Sequence, residues 1–237
     1  MKNLKIAKIQ QKLKDNKIDT LIINRTDEFL NEYIPPDAER LFWATDFSGS
    51  AGRAIINQNQ SYLFVDGRYT FQAKEQVDSN QIKIKHQNDF SKDLNICFIK
   101  NECLALDPRL HSIEEILKYL DLATKNQTKL HFTEENIIDE LWFEKPRRNY
   151  GIVFDHPINY AGNESYDKYL NFIKILNKNK LDAYFLSSLD SIAWLLNIRG
   201  NDILNSPLAF AYLLINATDK PKLYIKIDMI EPSLKER

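Results

Sequence analysis

The side chains able to do chemistry are few and scattered. Histidines stand at His86, His111, His131 and His156, and none has a second His or a carboxylate at a spacing known to hold a metal, such as the two-His helix of zinc peptidases. A two-metal hydrolase needs carboxylates and His grouped so that two ions are bridged and a water is activated. No such grouping is legible, so the chain is expected to hold no metal site and no catalytic residue of its own. Cys97 and Cys103 have no partner His or Cys nearby and read as two buried free thiols.

Three motifs weigh a binding role against a structural one. Gly49-Ser50-Ala51-Gly52-Arg53 has the look of a phosphate cradle but lacks the Gly-Lys-Ser/Thr ending. Gly49 and Gly52 are therefore expected in a tight turn, chosen for positive φ or close backbone approach. Ser50 stands in no nucleophile elbow. In Asp66-Gly67-Arg68-Tyr69, Asp66 is placed to cap a helix and Arg68 to pair with Asp46 or Glu39. Arg40, after Pro35-Pro36, reads as lining a domain surface. In Asn197-Ile198-Arg199-Gly200-Asn201-Asp202 a binding role competes most directly, the structural alternative being Arg199 paired with Asp202 or Asp190. Trp194, Leu195 and Ile192 read as core, or as a contact face if exposed.

The elements that must position these residues follow from periodicity. Ile6, Ile9 and Leu13 share one face of a helix over about Leu4 to Asn16. Ile18 to Ile23 and Ser61 to Val65 read as buried strands, and Tyr69, Ala73 and Val77 as a following helix. Ile82 and Ile84, alternating with lysines, mark a half-exposed strand. Ser112 opens a capping box with Glu115, and Ile113, Ile116, Leu117 and Leu120 are expected to form the buried face of its helix.

An internal repeat organises the whole. Asn16-Lys17-Ile18-Asp19-Thr20-Leu21-Ile22-Ile23 corresponds to Asn179-Lys180-Leu181-Asp182-Ala183-Tyr184-Phe185-Leu186, each preceded by an amphipathic helix. Phe42-Trp43 and Gly49 align with Ala193-Trp194 and Gly200, and a strand closes each copy, at Tyr62 to Val65 and Leu223 to Ile227. The chain is expected to be α/β, with two tandem domains over 1–148 and 149–237, each a mixed β-sheet flanked by helices. Pro146 ends the last helix of the first domain.

Composition narrows the classes. A net charge of −1 leaves no electrostatic footprint for nucleic acid or an anionic membrane. The N-terminus lacks an apolar signal region, and no apolar run approaches a membrane span, so a cytoplasmic protein is expected. Abundant Lys, Asn and Ile, with AT-rich codons, point to an AT-rich bacterial genome.

Several segments, in order, resemble the N-terminal domains of cytosolic Xaa-Pro aminopeptidases of the creatinase family. They are Thr45 to Arg53, Val65 to Ala73, Leu106 to Ser112, Asn136 to Trp142 with Lys145-Pro146, and Leu189 to Ile203 with Pro207 and Tyr212. The resemblance implies two creatinase-N-terminal-like domains, the second incomplete at its C-terminal end. It implies a third, pita-bread domain with two divalent metals, usually manganese, that is not part of this sequence. It also implies that Asn197, Arg199, Asp202 and Trp194 face a substrate cleft or domain interface. By this reading the chain is inactive alone, the alternatives being the non-catalytic half of a split enzyme or a stand-alone peptide- or protein-binding module. Its expected partners are a separately encoded catalytic domain or a second copy of itself.

Overall fold

The structure, a computed structural model, describes residues 4–235 and divides into two units, one ending at Arg147 and one beginning at Arg148. The first opens with α1 (Leu4–Asp15), which buries Ile6, Ile9 and Leu13, and passes into β1 (Thr20–Asn24). Then follow α2 (Arg40–Thr45), β2 (Gly52–Asn57), β3 (Ser61–Val65), α3 (Thr70–Gln76) and β4 (Ile82–His86). The unit closes with β5 (Cys103–Leu106), α4 (Ile113–Asn126), β6 (Lys129–Phe132) and α5 (Ile137–Leu141).

Its six strands form one mixed sheet in the order β4-β3-β2-β1-β5-β6, antiparallel across β3-β2-β1 and parallel elsewhere. β1 is buried along its whole length, because a layer covers each face. Leu21 and Ile23 join α1 and α5 side chains on one face. Ile22, Ile55 and Phe64 pack on the other against Phe90, Leu94, Phe98, Tyr119 and Ala123. Burying each such large apolar side chain contributes about 2 kcal/mol.

α4 is turned differently from its apolar pattern. Ile113, Leu117 and Leu120 are exposed, and Tyr119 and Ala123 are the buried residues. Rotation toward Glu115 and Tyr119 brings a polar network inward, described below.

The second unit comprises β7 (Phe154–Asp155), α6 (Ile158–Ala161), α7 (Ser165–Lys178), β8 (Ala183–Leu186), α8 (Leu189–Leu196) and β9 (Ile198–Arg199), then β10 (Ala211–Asn216), β11 (Lys222–Ile225) and α9 (Pro232–Lys235). Its strands form an antiparallel sheet β11-β10-β8 and a ribbon β7-β9, with a parallel bridge between Val153 and Ile230. One apolar cluster, including Leu176, Ile192, Leu195, Leu213 and Ile215, forms its core.

The repeat holds down to single hydrogen bonds. β8-β10-β11 pair as β1-β2-β3 do. Gln58 N donates to Asp19 O at 3.2 Å, and Ala217 N to Asp182 O at 2.8 Å. A 3-10 turn follows each third strand, Gly67–Tyr69 before α3 and Ile227–Met229 before α9.

Candidate functional site

The Asn197 to Asp202 cluster is built around the C-terminal end of α8. Asn197 takes a left-handed backbone (φ 52°, ψ 48°), and its N–H donates to Ala193 O. An Asn tolerates that conformation and stops the helix. Its buried side chain donates from Nδ2 to Asn163 O at 2.9 Å and accepts at Oδ1 from Lys168 Nζ at 2.6 Å. Lys168, on α7, also donates to Trp194 O at 2.8 Å, and its ammonium lies 4.6 Å from the Trp194 ring centroid.

A buried ammonium is thus held by two oxygens and a ring face. A cation at a helix C-terminus and over an indole is electrostatically favoured. Burial, and after it the charge of Arg199, still pushes the Lys168 amine below its ordinary value. Periodicity gave Lys168 no role. The one local hint is its place among the apolar positions of α7, between Tyr166 and Leu170.

Arg199 donates to the carbonyls of Ala193 (3.2 Å) and Ile198 (2.8 Å). The expected pairing with Asp202 or Asp190 is not made. Asp202 instead accepts the backbone N–H groups of Gly151 (2.5 Å) and Phe210 (2.6 Å). Asp190 accepts from Ser191 N (2.8 Å) and from the Ser188 hydroxyl. Buried backbone donors need acceptors, and a carboxylate already aimed at them is not free for a guanidinium. Asn197, Arg199 and Asp202 hold the loop together, and Trp194, 57% exposed, is the member that presents apolar surface to solvent.

The first-unit residues separate in the same way. Arg40 is not at a surface: it is buried and forks Nε and Nη2 onto Asp139 of α5, both at 2.8 Å. Arg68 is exposed and folds back on Asp66 at 2.9 Å rather than reaching Asp46 or Glu39. Those carboxylates are taken by Lys5 (2.7 Å) and Arg25 (2.9 Å). Asp66 caps the turn by accepting from Arg68 N at 2.9 Å. Gly49 and Gly52 are not left-handed. Close approach explains them, since a Cβ on Gly49 would stand 2.2 Å from the Phe47 ring, and one on Gly52 3.1 Å from it.

A polar cavity of about 300 Å³ opens where β1 ends, lined among others by Asn24, Arg25, Arg53, His111 and Glu115. Glu115 is its hub. Oε1 accepts from Arg53 Nη1 and the Tyr119 hydroxyl, both at 2.8 Å, and Oε2 lies 2.8 Å from His111 Nδ1. Burial alone would raise this carboxyl. The His111 hydrogen bond, the Arg53 charge and the Tyr119 hydroxyl outweigh it and hold Glu115 at about 2. So weak a base is unsuited to abstracting protons near neutrality. The capping box is half-made for the same reason. Ser112 Oγ accepts Glu115 N at 3.1 Å, while the Glu115 side chain turns to the network. The i, i+4, i+8 spacing of His111, Glu115 and Tyr119 is the sequence signal that would have found it.

Cys97 and Cys103 are free and buried, and burial pushes the Cys97 thiol up to about 12 against the opposing charge of Arg53. Among the described residues no group of three or more His, Cys, Asp or Glu side chains is placed to hold a metal ion. No described helix is long and apolar enough to cross a membrane.

With this geometry in place, the relatives are informative. Probable Xaa-Pro aminopeptidase P of Ajellomyces dermatitidis is 32% identical over 237 residues, covering 98% of this chain and 38% of its own length. Its counterpart in Neosartorya fischeri is 33% identical over 241 residues, covering 97% and 36%. The crystal structure of X-prolyl aminopeptidase from Caenorhabditis elegans, described as a cytosolic enzyme with a di-nuclear active site, matches with a TM-score of 0.92 at 26% identity. That match covers all of this chain and 41% of the other. The chain spans little more than a third of the length of the curated relatives it matches. The creatinase/prolidase N-terminal domain pattern matches residues 5–137, and a second pattern of the same description matches residues 144–237. Two matches in tandem, on two units that repeat one strand order, place this chain in the creatinase/prolidase N-terminal domain family.

Proposed function

We propose that the chain is the N-terminal, non-catalytic portion of an Xaa-Pro aminopeptidase and has no peptidase activity alone. The observation that carries this reading is its end-to-end similarity to one part of much longer Xaa-Pro aminopeptidases, at 32% identity. The chemistry of its side chains agrees. The carboxylate in its polar cavity, Glu115, is already engaged by Arg53, Tyr119 and His111, and its buried ammonium, Lys168, is committed to a helix end. In this reading the two units support and bound a catalytic domain that carries the metals, and that domain is a separate polypeptide or a continuation of this one.

The purified chain with manganese and an Xaa-Pro peptide is expected to give no turnover, and hydrolysis by the chain alone would overturn the proposal. Mixing it with a separately produced catalytic domain of an Xaa-Pro aminopeptidase is expected to raise that domain's turnover. An unchanged rate would sink the supporting role.

A further inference from the structure

We propose that the polar cavity of the first unit is a binding site for a small organic acid. Arg25 and Arg53 hold its carboxylate or phosphoryl group, and Leu30 and Leu110 face its apolar body. The site lies wholly within the first unit and is independent of the peptidase reading.

Charge sets the sign of the guest. Besides His111, the titratable side chains on the cavity wall are Arg25, Arg53 and Glu115, two cations against one carboxylate. Glu115 is not a free negative charge, because Arg53, Tyr119 and His111 engage both of its oxygens. α4 begins at the rim, where Ser112 lines the cavity, so the positive end of a 14-residue helix adds to the field. An oxyanion is therefore favoured over a cation or a neutral polar group.

Both arginines are fixed in place and still carry unused donors. The Arg25 side chain is only 9% exposed. Its Nη1 donates to Glu32 O at 2.9 Å and Ser50 O at 3.1 Å, and its Nη2 to Glu39 at 2.9 Å. Its Nε is buried and has no partner. A buried donor without an acceptor is destabilising, and an oxygen brought by a guest relieves that cost. Arg53 lies over the Phe90 ring at 4.2 Å and uses Nη1 for Glu115 (2.8 Å) and Tyr119 (3.3 Å). Its Nε and Nη2 make no hydrogen bond among the described residues. Guanidinium groups already held by other contacts take an oxyanion without first having to be ordered.

Size and lining select an organic acid over a bare inorganic anion. The cavity, about 300 Å³, is large enough for a small organic molecule. Leu30, Ala51 and Leu110 stand on its wall beside the polar groups. Arg53, Gln87 and Glu115 also line a neighbouring cavity of about 240 Å³, where Lys118 adds another cation. An anion with an apolar body covers the apolar wall, which an inorganic ion leaves in contact with water.

Isothermal titration calorimetry and amide chemical shifts test this on the whole chain, with benzoate, phenyl phosphate, inorganic phosphate and benzyl alcohol as probes. Benzoate or phenyl phosphate is expected to bind at one site with a Kd below about 1 mM, shifting the amides of residues 51–53 and 112–115. The tighter of the two identifies the acid as a carboxylate or a phosphoryl group. Inorganic phosphate should bind about tenfold more weakly than that probe, and benzyl alcohol not detectably. Arg53→Gln should weaken binding by on the order of tenfold. Arg53 also serves the Glu115 network, so a second pair of variants avoids any cost to folding. Gln87 is exposed and makes no side-chain hydrogen bond among the described residues. Gln87→Glu should weaken binding about threefold at low salt and Gln87→Lys should tighten it about threefold, both differences shrinking as salt is added. The proposal is overturned if neither acid saturates a site, if benzyl alcohol binds as tightly as the acids, or if the shifts map outside the cavity. Gln87→Glu and Gln87→Lys changing the affinity in the same direction would overturn it too. Inorganic phosphate binding as tightly as both acids would overturn the assignment to an organic acid.

Discussion

Lys17 and Lys180 occupy the same point in two copies of one turn. Each takes a left-handed backbone, φ 56° and 55°, and each donates its N–H three residues back, to Lys14 O and Asn177 O, at 3.1 Å. The next residue closes the motif in both: Ile18 N reaches Leu13 O at 2.9 Å, and Leu181 N reaches Leu176 O at 3.0 Å. This is the helix stop that normally uses glycine, made here twice by lysine.

A left-handed residue with a Cβ costs about 1 kcal/mol, part of which glycine loses again through its freer unfolded chain. Lys17→Gly and Lys180→Gly are each expected to stabilise their own unit by about 0.5 kcal/mol. Urea unfolding followed by unit-specific probes would check this. A lower midpoint in either variant would mean that the lysine side chain contributes more than its backbone strain costs.

That turn was legible from sequence because it is local: a polar pair closes an apolar helix and opens an apolar strand, and the pattern occurs twice. The strands at Ser61–Val65 and at Ile82 and Ile84 were legible in the same way, from an apolar run and from alternation, but their order in the sheet was not. What sequence could not supply was pairing across distance. Arg40 meets Asp139 from 99 positions away, so nothing near Arg40 announces a buried fork. Charge complementarity suggested Arg199 with Asp202, but the backbone donors of Gly151 and Phe210 claim that carboxylate first. Hydrophobic periodicity put Ile113, Leu117 and Leu120 inside, whereas Tyr119 turns inward because Glu115 and Arg53 give its hydroxyl partners there.

Two Arg–Asp pairs in the first unit should respond unequally to removal. Arg40 is buried, and its loss leaves Asp139 with Lys145 as its remaining ion-pair partner at 2.7 Å. Breaking one side of a buried pair costs roughly 3 kcal/mol. Arg40→Ala should therefore lower the first unit's stability by about that much. Arg40→Lys should recover only part, since an ammonium cannot fork onto both oxygens. Arg68→Ala, removing the exposed partner of Asp66, should leave the unfolding midpoint where it was. Equal losses at Arg40 and Arg68 would contradict the burial argument.

The Glu115 network gives the first unit an acid-sensitive element. Glu115 is held at about 2 against an ordinary value of 4.5. The folded carboxyl is therefore the stronger acid, and the unfolded chain binds the extra proton. Stability from this group is present in full above about pH 4.5 and is lost as pH falls toward 2. The shift corresponds to on the order of 3 kcal/mol, since each unit of pKa is about 1.4 kcal/mol. Glu115→Gln keeps the shape but removes the charge facing Arg53 and His111. It should destabilise the protein by on the order of 3 kcal/mol at pH 6, and the gap to the parent should narrow below pH 4.5 and nearly close by pH 2. Denaturant titrations of parent and variant at several pH values would measure that gap directly. Subtracting the two cancels the titration of every other carboxylate, so a gap independent of pH would show that Glu115 acts through packing rather than charge.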